Sequence, residues 1–468
     1  MVDRAKPART ALLSPRSSCD AAAWPALPDP WRASVLALLF QLERSEWWPP
    51  EALRAAQGRQ LARLLAHAVA TVPFYRERLA GLRPAADGGL SEAAWAEVPR
   101  LTRAEAQDAG AALLSTAVPR RHGRTSSIFT SGSTGRPLHA RRTELSLAFW
   151  EAFTLRDHAW HGRDLRAKLA VIRHADPGRD PWPHGTRARN WGHDRRAVYA
   201  TGPCVMLNAN AALEQQLEWL RREAPRYFLT FPTVAERLAR HCLERGVALP
   251  GLAEVILIGE IVGDRVRAIC RRAWGAAVTE IYSSREVGYI ALQCPAAPGL
   301  HVQSEGVLVE VLDDAGRACA PGAIGRVVLT PLHNFAMPLI RYEIGDYAEV
   351  GLACACGRGL PVLRRVLGRA QNMVVLPSGE RRWTLLSSGD IGELLALAPI
   401  RRYQFAQVSP ARIEARLAVA RPLSAPEEDA IRAWLVAILD HPFTVTIRQL
   451  DDLPQSPSGK FMDFVSEL

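Results

Sequence analysis

Apolar residues recur every three or four positions through Val35, Leu38, Leu39 and Leu42, and again through Leu61, Leu64, Leu65 and Val69. That spacing lines one face of a helix, so Trp31 to about Ala80 is predicted helical, broken at Pro49-Pro50. Pro73 restricts its predecessor and ends one helix. Residues 1 to 30, rich in Ala, Pro and Ser, read as loosely held, and residues 85 to 120 as a linker with a helix near 102 to 115. Further on, helical periods alternate with short apolar runs. Helices are predicted over Glu144 to Trp160, Ala211 to Arg222, Thr233 to Arg245 and Asp264 to Trp274. Strands are predicted at Leu169 to Ile172, Tyr227 to Phe231 and Val255 to Ile258. This alternation predicts a mostly parallel sheet covered by helices, with ligands beyond the C-terminal strand ends.

The period changes to two at Val307 to Val311 and Gly325 to Leu329, around a turn from Asp313 to Gly316, which predicts a small antiparallel subdomain. Residues 402 to 448 read as strand, helix, helix, strand. Ser424 with Glu427 forms a helix-start pattern there, and a small α/β domain follows. The stretch 173 to 196 is polar, with His174, His184, His193, Trp182 and Trp191, and matches no regular element. It reads as a flap or an insertion, and its histidines lack metal-ligand spacing.

At 468 residues the chain suits two or three domains. It contains no run of about 18 apolar residues, so no membrane span is expected. Met1 to Arg16 lacks the apolar core of a secretory signal, and a cytoplasmic location is expected. The formal charge is +10, and only Lys6, Lys168 and Lys460 are lysines. The arginines are dispersed among acids without a helix-turn-helix or zinc-finger pattern, which points away from nucleic acid and suits an anionic, phosphate-bearing ligand.

Candidate chemistry concentrates first in residues 125 to 137. Thr125, Ser126, Ser127, Thr130, Ser131, Gly132, Ser133, Thr134, Gly135, Arg136 and Pro137 crowd hydroxyls, glycines and one guanidinium together, with Ile128-Phe129 as a strand feeding the turn. Glycines let backbone N–H groups converge on an anion, and Arg136 adds a fork suited to phosphate oxygens. A surface Ser/Gly turn is the plain alternative. The order resembles the phosphate loop of the adenylate-forming superfamily, the acyl-CoA synthetases and their relatives, with Arg136 where Lys is usual. The helical lead-in with Phe74-Tyr75-Arg76 is similar to the phenylacetate–coenzyme A ligase branch.

Four later stretches extend the resemblance. Tyr282-Ser283-Ser284-Arg285-Glu286 resembles the motif in which an aromatic packs on adenine and a glutamate holds magnesium. That implies Tyr282 on adenine, Ser284 or Arg285 near phosphate, and Glu286 on magnesium, an oxygen ligand for a hard cation. Pro338 to Asp346 resembles the motif whose aspartate grips both ribose hydroxyls, so Asp346 is expected there, with Arg341 ordering it or facing phosphate. Arg369, in a stretch resembling the interdomain hinge, is expected to approach ribose or phosphate, and Gln371-Asn372 replace the usual acids. Lys460, in the loop Ser456-Pro457-Ser458-Gly459-Lys460, resembles the adenylation lysine, a cation that offsets charge between carboxylate and α-phosphate.

Cys294, His301, Cys354 and Cys356 together supply three thiolates and an imidazole, an ordinary structural zinc set, and some members of the branch carry a similar group. Cys19, Cys204, Cys242, Cys270 and Cys319 show no pairing pattern and are expected reduced.

The resemblance implies an α/β adenylate-forming fold: an N-terminal extension with helices over 1–60, a large adenylation domain over 61–367, and a small mobile C-terminal domain over 368–468. It implies an AMP-forming carboxylate–coenzyme A ligase using ATP, magnesium and coenzyme A on an aromatic or other small acid. Phe228, Phe231, Trp274 and Tyr282 are equally readable as pocket or core. The alternative is an adenylating enzyme whose acceptor is an amine, a carrier protein or another coenzyme. A homodimer is compatible with either.

Overall fold

The computed structural model describes residues 15–22, 24–82, 92–129, 137–176, 178–192, 196–369, 372–383, 388–451, 453 and 463–468. Helices span Pro30–Ser45, Pro50–Thr71 and Pro73–Arg78. Each begins with proline, whose missing N–H costs nothing at a first turn. The first is capped by the Asp29 carboxylate, which accepts from the Arg32 amide. No helix among the described residues is long and apolar enough to cross a membrane.

The large domain is built on one twelve-stranded mixed sheet. Its parallel part runs Cys204–Asn208, Leu169–Arg173, Tyr227–Thr230, Glu254–Ile258, Ala277–Ser284. Val255, Ile256 and Leu257 are buried on both faces, as a helix-covered parallel strand requires. The helices Leu213–Glu223, Pro232–Arg245 and Asp264–Trp274 pack their apolar stripes on one core with Val205, Phe228 and Val255. The predicted antiparallel strands exist as Val307–Leu312 and Ile324–Pro331. They continue this same sheet through Tyr342–Val350, Val362–Arg369, Leu300–Val302 and Gly288–Gln293. The polar stretch 173–196 closes the opposite edge: Thr186–Ala188 pairs antiparallel with Cys204–Asn208, and Trp191 is buried beside Leu165 and Tyr227.

The smaller C-terminal α/β unit has a four-stranded sheet ordered Thr444–Leu450, Arg412–Val419, Ile400–Ser409, Phe464–Ser466. The expected first helix within 402–448 is instead the strand Arg412–Val419. Its Ala, Arg, Glu and Leu favour helix, but Ile413, Ala415 and Leu417 alternate inward at period two and pair with the preceding strand. The second helix forms as Ala425–Leu439, with Ser424 and Glu427 in a reciprocal cap. The two units touch: Arg240 Nη1 donates to the Arg401 carbonyl at 2.6 Å and Arg265 Nη1 to the Tyr403 hydroxyl at 3.3 Å.

Candidate functional site

Tyr282 lies near the end of the strand Ala277–Ser284, and Asp346 lies in Tyr342–Val350. Arg369 ends the neighbouring strand Val362–Arg369, directly opposite Asp346. The Tyr282 hydroxyl donates to Asp346 Oδ2 at 2.8 Å, and Arg369 Nε lies 3.6 Å from Asp346 Oδ1. Burial, with the Asp346 charge beside it, pushes the Tyr282 hydroxyl well above its ordinary value, so it remains a donor. Three expected site residues from distant segments therefore meet at one carboxylate. Gly368, just before Arg369, has φ +88°, and a Cβ there would lie 2.4 Å from Ile261 Cδ1. Only glycine lets the strand turn that close to the loop from the parallel sheet.

Glu286 is buried, 3.6 Å from Arg103 Nη1, and Arg103 donates to the Tyr342 hydroxyl at 3.3 Å. A buried carboxylate facing this site is a suitable hard donor for magnesium, and Arg103 is its counter-charge here. Arg103 was not among the expected residues. It opens the helix Arg103–Ala109 behind a Thr102–Glu105 capping box, which a sequence reading can find, but nothing in the spacing links it to Glu286. Ser284 Oγ accepts from the Val287 amide and shapes the turn. Arg285 is exposed and donates to the Phe129 carbonyl at 3.2 Å. Phe129 closes the strand Thr125–Phe129, which pairs with His139–Thr143. Ser131, Gly132, Ser133, Thr134, Gly135, Arg136, Gln371 and Lys460 lie outside the described residues.

Arg341 corrects the expectation that it orders Asp346 or faces phosphate. It is buried at φ +48°, pairs with Glu310 at 3.0 Å, and donates to the carbonyls of Trp95, Ala96 and Val98. It is spent on holding the 95–98 segment to the sheet. Phe228 and Trp274 are part of the helix–sheet core, whereas Phe231 stacks on His174 at the C-terminal strand ends.

The Cys/His tetrad assembles from three loops and strands. Cys294 follows Gly288–Gln293, His301 lies in Leu300–Val302, and Cys354 and Cys356 lie between Tyr342–Val350 and Val362–Arg369. Their four donor atoms lie within 4.8 Å of one another. Tetrahedral zinc with bonds of about 2.3 Å to sulfur needs sulfur–sulfur edges of about 3.8 Å. Cys294 Sγ to Cys354 Sγ is 3.7 Å, and Cys356 Sγ to His301 Nε2 is 3.3 Å. His301 Nδ1 lies 3.3 Å from the Leu360 carbonyl, which orients Nε2 toward the thiols. Burial pushes the His301 imidazole down to about 4, so it is neutral and able to ligate. Burial also raises the Cys294 thiol to about 11, which opposes thiolate formation until a cation is present. The donor set and its edges fit a structural zinc ion.

Behind the tetrad, Trp160 stands edge-on to His301 and donates to Glu46 at 2.9 Å. Arg358 Nε pairs with the same carboxylate at 3.1 Å, and the Gly359 amide donates to the Glu46 carbonyl. The cluster is thus tied to the end of the first helix.

No protein-family model matches the chain. A phenylacetate–coenzyme A ligase from Thermus thermophilus is 29% identical over 348 residues, covering 72% of this chain and 75% of that protein. A crystal structure of 2-hydroxyisobutyryl-CoA ligase in the postadenylation state, in complex with R3-HIB-AMP, aligns with a TM-score of 0.69 at 18% identity, over 91% of this chain and 92% of that one. The same ligase in complex with 2-HIB-AMP and CoA in the thioesterification state aligns with a TM-score of 0.57 at 20% identity, over 91% of each chain.

Proposed function

We propose that this chain, a member of the adenylate-forming superfamily, is an ATP-dependent ligase that activates a small or aromatic carboxylic acid and passes it to coenzyme A. The observation that carries the reading is the meeting of Tyr282, Asp346 and Arg369 beside buried Glu286. An acceptor carboxylate for two ribose hydroxyls, an aromatic platform and a guanidinium then lie around one nucleotide. The phenylacetate and 2-hydroxyisobutyryl relatives support the acid class and the thiol acceptor.

In the first step a carboxylate oxygen of the acid bonds to the α-phosphorus, the bond to the bridging oxygen breaks, and pyrophosphate leaves. Asp346 fixes the ribose, Tyr282 holds Asp346 and flanks the base, and Arg369 offsets charge near ribose and phosphate. Glu286 would hold magnesium, which when bound screens the phosphate charge. Ser131 to Arg136 and Lys460 are assigned to the phosphates and to the charge that builds during attack. In the second step the coenzyme A sulfur, having lost its proton, bonds to the acyl carbon and AMP leaves. A swing of the C-terminal unit about a boundary near residue 368, in the stretch that resembles the interdomain hinge, would separate the two steps. The Cys/His tetrad is assigned a closed structural zinc, and its thiols suit a reducing, cytoplasmic setting.

Purified protein with ATP, magnesium and a carboxylate panel should show acid-dependent exchange of pyrophosphate into ATP. AMP release should then rise on adding coenzyme A. No exchange with any acid sinks the first step. Exchange with a stable adenylylated product and no thiol dependence moves the assignment to an adenylyltransferase.

A further inference from the structure

Asn372 stands in the hinge-like stretch at a position where the resembling motif has an acid. Its Oδ1 accepts from the Arg369 amide at 3.0 Å, and its Nδ2 donates to the Phe464 carbonyl at 3.0 Å. Arg369 ends a strand of the large sheet, opposite Asp346. Phe464 opens the strand Phe464–Ser466 of the C-terminal sheet, 92 residues further along the chain. One neutral side chain therefore spans the boundary between the units. Only its oxygen can accept from the amide and only its nitrogen can donate to the carbonyl, which fixes the orientation of the side chain. A local turn needs the first bond alone. An aspartate could make that bond but has no donor for the second, and its charge would face a carbonyl oxygen.

A second contact holds the same part of the C-terminal unit. Glu236 Oε1, on the helix Pro232–Arg245, pairs with Arg240 Nη2 at 2.7 Å and with Arg265 Nη2 at 2.8 Å. Each guanidinium spends its Nη1 on the strand Ile400–Ser409: Arg240 on the Arg401 carbonyl at 2.6 Å, Arg265 on the Tyr403 hydroxyl at 3.3 Å. That strand pairs parallel with Phe464–Ser466, with Phe405 opposite Phe464. The large domain therefore grips two neighbouring strands of one small sheet. Charge pairing with Glu236 explains why the two arginines are held. It does not explain why both forks end on the same strand of the other unit.

We infer that Asn372, Arg240 and Arg265 form a latch that holds the C-terminal unit in the orientation of the first half-reaction and opens before the second. The inference rests on the ligase reading above for its two steps. Phe464 follows Lys460 by four residues, and Arg369 stands opposite Asp346. Asn372 thus ties the chain just beyond the lysine assigned to the first step to the strand end beside the carboxylate assigned to ribose. A swing about a boundary near residue 368 parts Arg369 from Phe464, so it must break one of the two Asn372 bonds as well as the arginine contacts. All three are positioning residues, which act through the unit they hold and not on the nucleotide.

Solution X-ray scattering and separated half-reactions, both on the full-length protein, test this. Asn372→Asp and the double variant Arg240→Gln/Arg265→Gln should each shift the scattering of the free protein toward a wider spread of unit orientations. Each should slow acid-dependent pyrophosphate exchange about fivefold to tenfold and leave thioester formation from pre-formed acyl-adenylate and coenzyme A within about twofold of wild type. Tyr403→Phe, which removes one contact, should act in the same direction by less. If Asn372→Asp does not fold, the double variant carries the test. Unchanged scattering, or unchanged half-reactions, in folded variants overturns the latch. Equal losses in both half-reactions reduce the three residues to a structural role and overturn it as well. A loss confined to thioester formation overturns the choice of step. Scattering requires no acid. A wild type without acid-dependent exchange whose scattering still responds to Asn372→Asp keeps the latch and removes the ligase reading.

Discussion

At the Cys/His tetrad the donors are braced from behind. His301 is steered by the Leu360 carbonyl, and the Arg358 side chain is gripped by Glu46 at 3.1 Å, which also takes the Trp160 indole at 2.9 Å. At the proposed nucleotide site the charges are held at longer range: Arg369 to Asp346 and Arg103 to Glu286 are both 3.6 Å. Charge-assisted hydrogen bonds close to about 2.7–2.9 Å when nothing competes. The tetrad is built to keep one arrangement. Asp346 keeps its 2.8 Å hydrogen bond from Tyr282, but neither Asp346 nor Glu286 is closed into a short ion pair that a substrate or cation would have to break. The contrast predicts that damage to the first region appears as lost stability, and damage to the second as lost turnover in a folded protein.

The largest effect should follow from breaking the braced side. Cys356→Ser should cut bound zinc to well under one per chain and destabilise the fold by about 4 kcal/mol or more, as losses of a structural metal do. Activity per folded molecule should stay within about twofold. Metal analysis beside thermal melts checks this, and a variant that melts like wild type with no zinc would erase the contrast. Next in size is Asp346→Ala. Removing a carboxylate from two ribose hydroxyls should lower kcat/KM for ATP about 100-fold, roughly 3 kcal/mol, with the melting temperature nearly unchanged.

The difference between the regions also explains what could be read from sequence. The tetrad was legible because three thiols and an imidazole have few other uses together, and the parallel strands because Val255 to Ile258 form a short, uniformly apolar run. Asp346 and Tyr282 were legible only through their motifs, since nothing in composition says that they touch. Arg341 was misread because its role depends on a positive φ and on carbonyls at 95 to 98, far away in the chain. Arg412–Val419 was misread because small residues such as Ala415 fill the inward positions of a strand while favouring helix. The pairing of Arg103 with Glu286 is a product of tertiary folding that no local pattern announces.

Acid should find the braced side first. His333 stacks on Phe149 and contacts the Glu305 carbonyl, and the Glu305 carboxylate is bound by Arg156 behind the tetrad. Burial pushes the His333 imidazole down to about 4 from an unfolded value near 6.5. Its folded value is depressed, so the unfolded chain takes up the proton first. The stabilising contribution is complete above about pH 6.5 and is lost as pH falls toward 4. The expected loss by pH 4 is about 3 kcal/mol, read as urea midpoints at stepped pH. His333→Gln should flatten that slope, and an unchanged slope would place the acid sensitivity elsewhere.

The smallest effect is also the finest probe of the looser side. Tyr282→Phe keeps the ring that would flank the base and removes only the hydroxyl that donates to Asp346 at 2.8 Å. If that bond merely filled a gap in the fold, its loss would lower stability by about 1 kcal/mol and leave ATP kinetics alone. If it aims the carboxylate at the ribose, KM for ATP should rise about threefold to tenfold, with kcat and the melting temperature almost unmoved. The two outcomes separate because Asp346 keeps Arg369 as a neighbour in the variant, so its charge remains compensated while its direction does not. Combining Tyr282→Phe with Asp346→Ala sharpens the point: once the carboxylate is gone, removal of the hydroxyl should add almost nothing, as expected for two groups that act through one contact.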